Sequence, residues 1–257
     1  MIDTRTVKIP IGLWLVLMFG LYGCGGGNAK VQLSLEDVAE LKNASHVYIV
    51  DYPSPEFTWT VMTSSLPLPN SVLPLNLAKV EKWLELPSPL ELIDPTRTLR
   101  IQMMATLEDK YHFTNLVLAE EVSLDDDLMD RRSKLKQGKV IDIKTEFWKL
   151  VPAGNPSRPF LPPEKSTYEF HYSGIVRFID LDGHYVIHQH SCHYPSQYKN
   201  MGGWLRPKEY DSLSLIIPKR ENPMSVPELI DQQGANIRIQ IQKAVTHCLQ
   251  EFQKLFP

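Results

Sequence analysis

The residues best equipped for chemistry crowd into one late stretch of the chain. His184, His188, His190 and His193 surround Cys192, and His171 stands a little upstream. Imidazole and thiolate are ordinary zinc ligands, and imidazoles two residues apart on a strand lie about 7 Å apart, close enough to share a metal. His171, His188 and His190 are therefore the candidate metal ligands. No carboxylate clearly joins them, and Ile175, Ile179 and Val186 fall on the same expected face. A half-buried sheet surface explains the pattern as well. Asp125-Asp126-Asp127 lacks the glycine and distal glutamate of a calcium loop. It reads as an acidic helix start, which the helix dipole favours. Gly25-Gly26-Gly27 has no strand before it and no Lys-Ser/Thr after it, so it is not a phosphate loop. The chain carries no G-x-S-x-G, H-E-x-x-H or C-x-x-C. No catalytic residue is assigned and no cofactor is expected, although a Ser/His/Asp group assembled from distant positions stays open. The pattern favours a non-enzymatic role, and the alternative is a metal-binding protein or a hydrolase using the His188/His190 strand.

A further reactive side chain is Cys24. It ends an apolar run, Ile11 to Tyr22, preceded by Arg5 and Lys8. The run is too short to span a bilayer, which needs about 20 residues, and has the layout of a secretory signal. Leu21-Tyr22-Gly23-Cys24 resembles the bacterial lipobox. That resemblance implies a diacylglyceryl group on Cys24 and cleavage before it. Residues 1–23 would then be a signal peptide, 24–33 a flexible tether, and 34–257 a single periplasm-facing domain. Several acyl chains on one residue hold a protein firmly, at about 0.8 kcal/mol per buried CH₂. Gly25 after the cysteine, rather than an aspartate, resembles the pattern sent to the outer membrane.

Removing residues 1–23 leaves 234 of the 257 residues, enough for one domain with a sizeable core. The chain is 43% apolar and 22% charged, the balance of a globular protein rather than a disordered one. Its formal net charge is −3, with no basic block, which argues against a nucleic-acid partner. The expected partners are the membrane, through Cys24, and another envelope protein. With Cys24 lipidated, Cys192 and Cys248 are the two thiols left in an oxidising compartment, and a disulfide between them is expected.

The elements that would position these groups follow from periodicity and caps. Ser34 caps a first helix running to Lys42. Strands are expected over His46–Val50 and Phe57–Met62, and a proline-rich loop through Pro67, Pro69 and Pro74. Helical spacing returns over Leu75–Leu86. Asp94-Pro95 is a helix start, with Asp as N-cap and Pro in the first turn. A strand is expected over Asn115–Val122. A charged helix, Asp125 to Lys136, would be capped by Gly138. Lys139–Val151 alternates, with Val140, Asp142, Lys144, Glu146 and Trp148 on one face and Ile141, Ile143, Thr145 and Phe147 on the other. Tyr168–His193 reads as a hairpin turning at Asp182-Gly183 in a type I′ turn. In that register Leu181 pairs with His184, Ile179 with Val186 and Arg177 with His188. His171, His188, His190 and Cys192 then share a face. One further strand is possible at Ser212–Ile217. The last helix starts near Ser225 and runs towards Leu255, with a break at Gly234. The expected fold is α+β: a mainly antiparallel sheet with helices packed on one face, the C-terminal helix clamped to the hairpin by Cys192–Cys248.

Several local sequences resemble a group of uncharacterised cell-envelope lipoproteins of Gram-negative bacteria. They are the lipobox, Leu92-Ile93-Asp94-Pro95, the run Gly138-Lys139-Val140-Ile141-Asp142-Ile143-Lys144-Thr145 with Trp148, Tyr172-Ser173-Gly174, and Phe178-Ile179-Asp180. More distantly the layout is similar to auxiliary lipoproteins of ABC-type lipid transporters. The resemblance implies a small α/β domain behind a lipidated cysteine and brings no catalytic residue with it.

Overall fold

The computed structural model describes residues 32–63, 71–86, 89–121, 135, 137–153, 166–196 and 223–257. Cys24, the Asp125–Asp127 run and the possible strand at 212–217 lie outside them.

Local chemistry sets the helix starts. Ser34 caps α1 (Leu35–Asn43) in a complete capping box: its hydroxyl accepts from the Asp37 N–H, and the Asp37 carboxylate accepts from the Ser34 N–H. Asn76 caps α2 (Leu77–Trp83), its Oδ1 accepting from the Lys79 N–H. Asp94 caps α3 (Pro95–Asp109) with Pro95 in the first turn. At the C-terminus the expected break is present. A short helix α4 (Val226–Ile230) is separated from α5 (Ala235–Gln253) by a left-handed stretch in which Gln232, Gln233 and Gly234 all have positive φ.

Two 14-residue strands form the spine, β5 (Lys139–Pro152) and β6 (Thr167–Asp180), paired antiparallel along their whole length. The other edge of β5 is shared. β1 (Val47–Asp51) pairs parallel with its first half, and β2 (Thr58–Thr63) pairs parallel near its end. β4 (Leu116–Glu121) pairs parallel with β1, and β3 (Ser71–Asn76) antiparallel with β2. On the far edge of β6 lie β7 (Tyr185–Tyr194) and β8 (Met224–Ser225), both antiparallel. The sheet is thus mostly antiparallel, with β1 and β2 as parallel insertions.

Strand β3 overturns the expected loop there. Pro74 has no N–H to give, yet it sits opposite Thr60 because β3 pairs with β2 alone among the described strands, and an edge strand tolerates proline. The charged helix that Gly138 was expected to cap lies outside the described residues, apart from Leu135. The Gly138 φ of +121°, and the 2.5 Å that would separate a Cβ from the His46 carbonyl oxygen, let β5 start tight against β1.

The main core lies on one face of the sheet, hereafter the front. It joins Val38 and Leu41 of α1, Leu99, Met103 and Leu107 of α3, and Ile241, Val245 and Phe252 of α5 to Ile141, Ile143, Val176 and Phe178 of the spine. Each large buried side chain of this kind contributes about 1.5–3 kcal/mol. A smaller cluster, Val50, Tyr52, Leu135, Val140, Ile179 and Leu181, covers the back.

Two bulges decide which residue faces which side. In β5 the register slips between Thr145 and Phe147, leaving Glu146 as the extra residue. Trp148 therefore joins Ile141 and Ile143 in the main core, and Phe147 turns to the back, the reverse of simple alternation. In β7 the pairing Ile179–Val186 is as expected, but the next is Phe178–His188. Ile187 is the extra residue, so Arg177 faces Gln189 rather than His188.

Candidate functional site

The hairpin turn is held differently from a type I′ turn. Asp180 and Tyr185 are the closing pair, and His184, not Asp182 or Gly183, has the positive φ, 58°. Asp180 Oδ1 accepts from the N–H groups of Asp182 at 2.9 Å and Gly183 at 3.0 Å. Its other oxygen meets Lys139 Nζ at 2.9 Å, and the same amine reaches Glu40 Oε1 of α1 at 2.6 Å. Burial opposes charge on Lys139, but the bonds to Glu40 and Asp180 outweigh it and raise its pKa. Burial likewise opposes charge on Asp180, but the Gly183 N–H and the Lys139 ammonium hold its carboxyl below the usual range. This clamp ties the first helix to the tip of the hairpin.

A second polar assembly sits in the main core, where the N-terminus of α3 meets the β5 bulge. The Asp94 carboxylate accepts from the Thr96 N–H at 2.8 Å and from the Thr145 hydroxyl at 2.5 Å. Thr145 has one proton, and Asp94 receives it, so the short Thr96–Thr145 contact is made by the Thr96 hydroxyl donating. The Tyr172 hydroxyl then donates to Thr96 Oγ1 at 3.2 Å. All three hydroxyl protons point towards one buried carboxylate. Burial raises the Tyr172 pKa, so the phenol stays a neutral donor. A Cβ on Gly174 would stand 2.4 Å from the Tyr172 hydroxyl oxygen, which explains a glycine inside a strand. Asp94-Pro95, Thr145 and Tyr172-Ser173-Gly174, separate pieces of the sequence resemblance, meet in this knot.

The back of the same strands carries ionisable pairs. Arg177 Nη2 contacts Asp142 Oδ2, directly opposite it on β5. His171 Nε2 lies 3.1 Å from Glu169 Oε2, both residues buried. Ser173, fully buried, donates to Glu146 Oε2 at 2.6 Å and meets His193 Nδ1 at 2.9 Å. A serine nucleophile must hand its proton to the histidine. Here the proton goes to Glu146, so His193 Nδ1–H is the donor to Ser173. The serine is a bridge between two strands. Simple alternation hid this group, because Glu146 reaches Ser173 only through the bulge. The interior Gly174 was the available signal.

The candidate metal ligands do not converge. His188 packs beside Phe178, their ring centroids 6.4 Å apart, and His190 packs edge-on against Phe252 at 6.2 Å, both on the front. His171 shares the back with Glu169. The β7 bulge is what separates them. Among the described residues no three His, Cys, Asp or Glu side chains are grouped to hold a metal ion. Cys192 and Cys248 do come together: their Cα atoms are 5.4 Å apart with the sulfurs at bonding distance, joining β7 to α5. Beside them the Tyr194 hydroxyl donates to Gln240 Oε1 at 3.0 Å. No described helix is long and apolar enough to cross a membrane.

No protein-family model matches the chain, and no curated protein matches it closely enough to count as a relative. Among solved structures it is similar to a Helicobacter pylori protein described as a neuraminyllactose-binding hemagglutinin homolog. Identity is 10% and the TM-score 0.33, covering 88% of this chain and 90% of that one. It is also similar to a Xanthomonas campestris protein assigned to the family DUF330, at 8% identity and a TM-score of 0.30, covering 81% and 87%. Scores this low carry no argument about function.

Proposed function

We propose that the chain is a lipid-anchored cell-envelope protein, facing the periplasm from the outer membrane, that works as a binding or assembly component without chemistry of its own. The observation that carries the anchor is Leu21-Tyr22-Gly23-Cys24 at the end of a short apolar run. The non-catalytic half of the reading is supported by how the polar groups are used. The Asp94 knot, the Glu146–Ser173–His193 bridge and the Lys139 clamp each join separate elements, and their protons are committed to one another. A pair of cysteines in bonding position between β7 and α5 suits an oxidising compartment. A role as accessory to an envelope transport system is the finer version of this reading.

Intact-mass measurement of protein taken from membranes tests the anchor. The expected mass is that of a chain starting at Cys24 with acyl chains added, and Cys24→Ala should leave an unprocessed precursor. A mature chain that starts elsewhere and carries no lipid would overturn the reading. A permease and an ATPase encoded beside it would favour the transport version.

A further inference from the structure

Resting on the lipid-anchor reading, we propose that one end of the domain is the surface applied to the bilayer interface: the end formed by the start of α1, the Tyr111–Phe113 corner and the C-terminal turn. Chain length is the first argument. The Leu33 N–H donates to the Leu255 carbonyl at 2.8 Å, so the chain enters the domain beside its last residues. Leu33 follows Cys24 by nine positions. Fully extended, that stretch reaches about 30 Å, whatever path it takes. The domain is therefore tethered to the lipid through this end. This end is also where β5 starts and β6 finishes, because Glu40 of α1 binds Lys139 and Phe256 packs on Phe178. The strand β2 and helix α2 belong to the other end, about 30 Å further along β5.

The side chains there have interfacial character. Leu35, the first residue of α1, is 76% exposed and is the most exposed large apolar side chain among the described residues. Tyr111 stacks on Phe256, with ring centroids 4.8 Å apart, and its hydroxyl donates to the Gln253 carbonyl. Lys110 lies over the Tyr111 ring at 4.9 Å and Lys42 over Phe113 at 5.7 Å. The Lys254 side chain is 65% exposed. A tyrosine body and lysine stems set beside an exposed leucine, with Lys254 paired to Glu251 at 2.6 Å, are the chemistry that settles at the headgroup level. The occupant is the bilayer interface, not a lipid taken into a pocket.

The test uses the acylated, full-length protein in vesicles of phosphatidylethanolamine and phosphatidylglycerol containing a spin-labelled lipid as quencher. A fluorophore is placed on Leu35→Cys or, in a separate protein, on Lys79→Cys, an exposed position on α2. The expected result is quenching several-fold stronger at position 35 than at 79. Equal quenching, or stronger quenching at 79, in protein whose mass shows an acylated Cys24 would overturn the orientation and leave the anchor standing. Protein from the same preparation without acyl mass would overturn the anchor, and this inference with it.

Discussion

Strand β6 presents two unlike faces to the same molecule. On the front, Tyr172 ends a relay of neutral hydroxyls that converge on one carboxylate, beneath the start of α3. On the back, the adjacent residues His171 and Ser173 belong to charged or titratable pairs with Glu169, Glu146 and His193. A relay of hydroxyls is directional, because each oxygen has one proton to give. It fixes the register of a helix without placing more than one charge in the core, where charge is costly. Ion pairs are less exacting in direction but depend on protonation. The difference teaches that the front fixes geometry through directional hydroxyls, while the back joins its strands through ionisable side chains and the hairpin tip couples geometry to pH.

The largest expected effect lies on the front. Replacing both cysteines, Cys192→Ser with Cys248→Ser, removes the cross-link of sequence separation 56 and should cost about 4 kcal/mol. Denaturant unfolding with and without reductant reads it, with peptide mapping under non-reducing conditions as the control. Two thiols that alkylate without reductant in protein from the periplasm would contradict the bond. Next comes Gly174→Ala. The new methyl collides with the Tyr172 hydroxyl, and the knot cannot close without moving a fully buried ring, so a loss of about 3 kcal/mol is expected. Its neighbour on the back provides the contrast. Ser173→Ala leaves Glu146 and His193 without their bridge but collides with nothing, for about 1–3 kcal/mol.

The clamp at the hairpin tip should show the pH dependence. Asp180 has a lowered pKa, so its contribution is complete above the ordinary carboxylate value, about pH 4, and is lost as pH falls further through the lowered one. Lys139 has a raised pKa, so its contribution is complete below about pH 10 and is lost as pH rises through the raised value. Lys139→Met should cost about 3 kcal/mol at neutral pH by stranding a buried carboxylate. It should also flatten the acid limb of the stability profile measured from pH 2 to pH 7. An unchanged acid limb would show that the pair is not coupled to folding. The smallest effect expected is Tyr172→Phe, about 1 kcal/mol, because it removes one neutral donor and leaves Thr96 still giving its proton to Thr145. A loss as large as that of Gly174→Ala would mean that the relay, and not ring packing, holds the knot.

Much of this was written locally. Ser34-x-x-Asp37, Asp94-Pro95 and the positive φ at Gly234 are decided within a few residues, since a cap or a break depends on groups three or four positions apart. The pairing Ile179–Val186 follows from a turn a few residues away. That Cys192 and Cys248 should meet follows from a thiol at the end of a strand and another in the apolar stripe of a helix that must pack on the sheet.

Other features were not local. Strand β3 holds a proline because of where it sits in the sheet, and that place is set by β2. With Glu146 and Ile187 bulged, Trp148 packs against Phe57 on the front and Cys192 faces Cys248 of α5. An alternating sequence is equally compatible with either parity. Because a strand's side-chain period is two residues, one inserted residue moves every later side chain to the other face. The inserted Ile187 took His188 and His190 to the front and left His171 on the back, and the inserted Glu146 reached Ser173. Residue types and caps were the sequence's own to determine. Which face each side chain met was decided by the tertiary contacts on the front, Phe57 against Trp148 and Cys192 with Cys248 among them, since only such contacts distinguish one parity from the other.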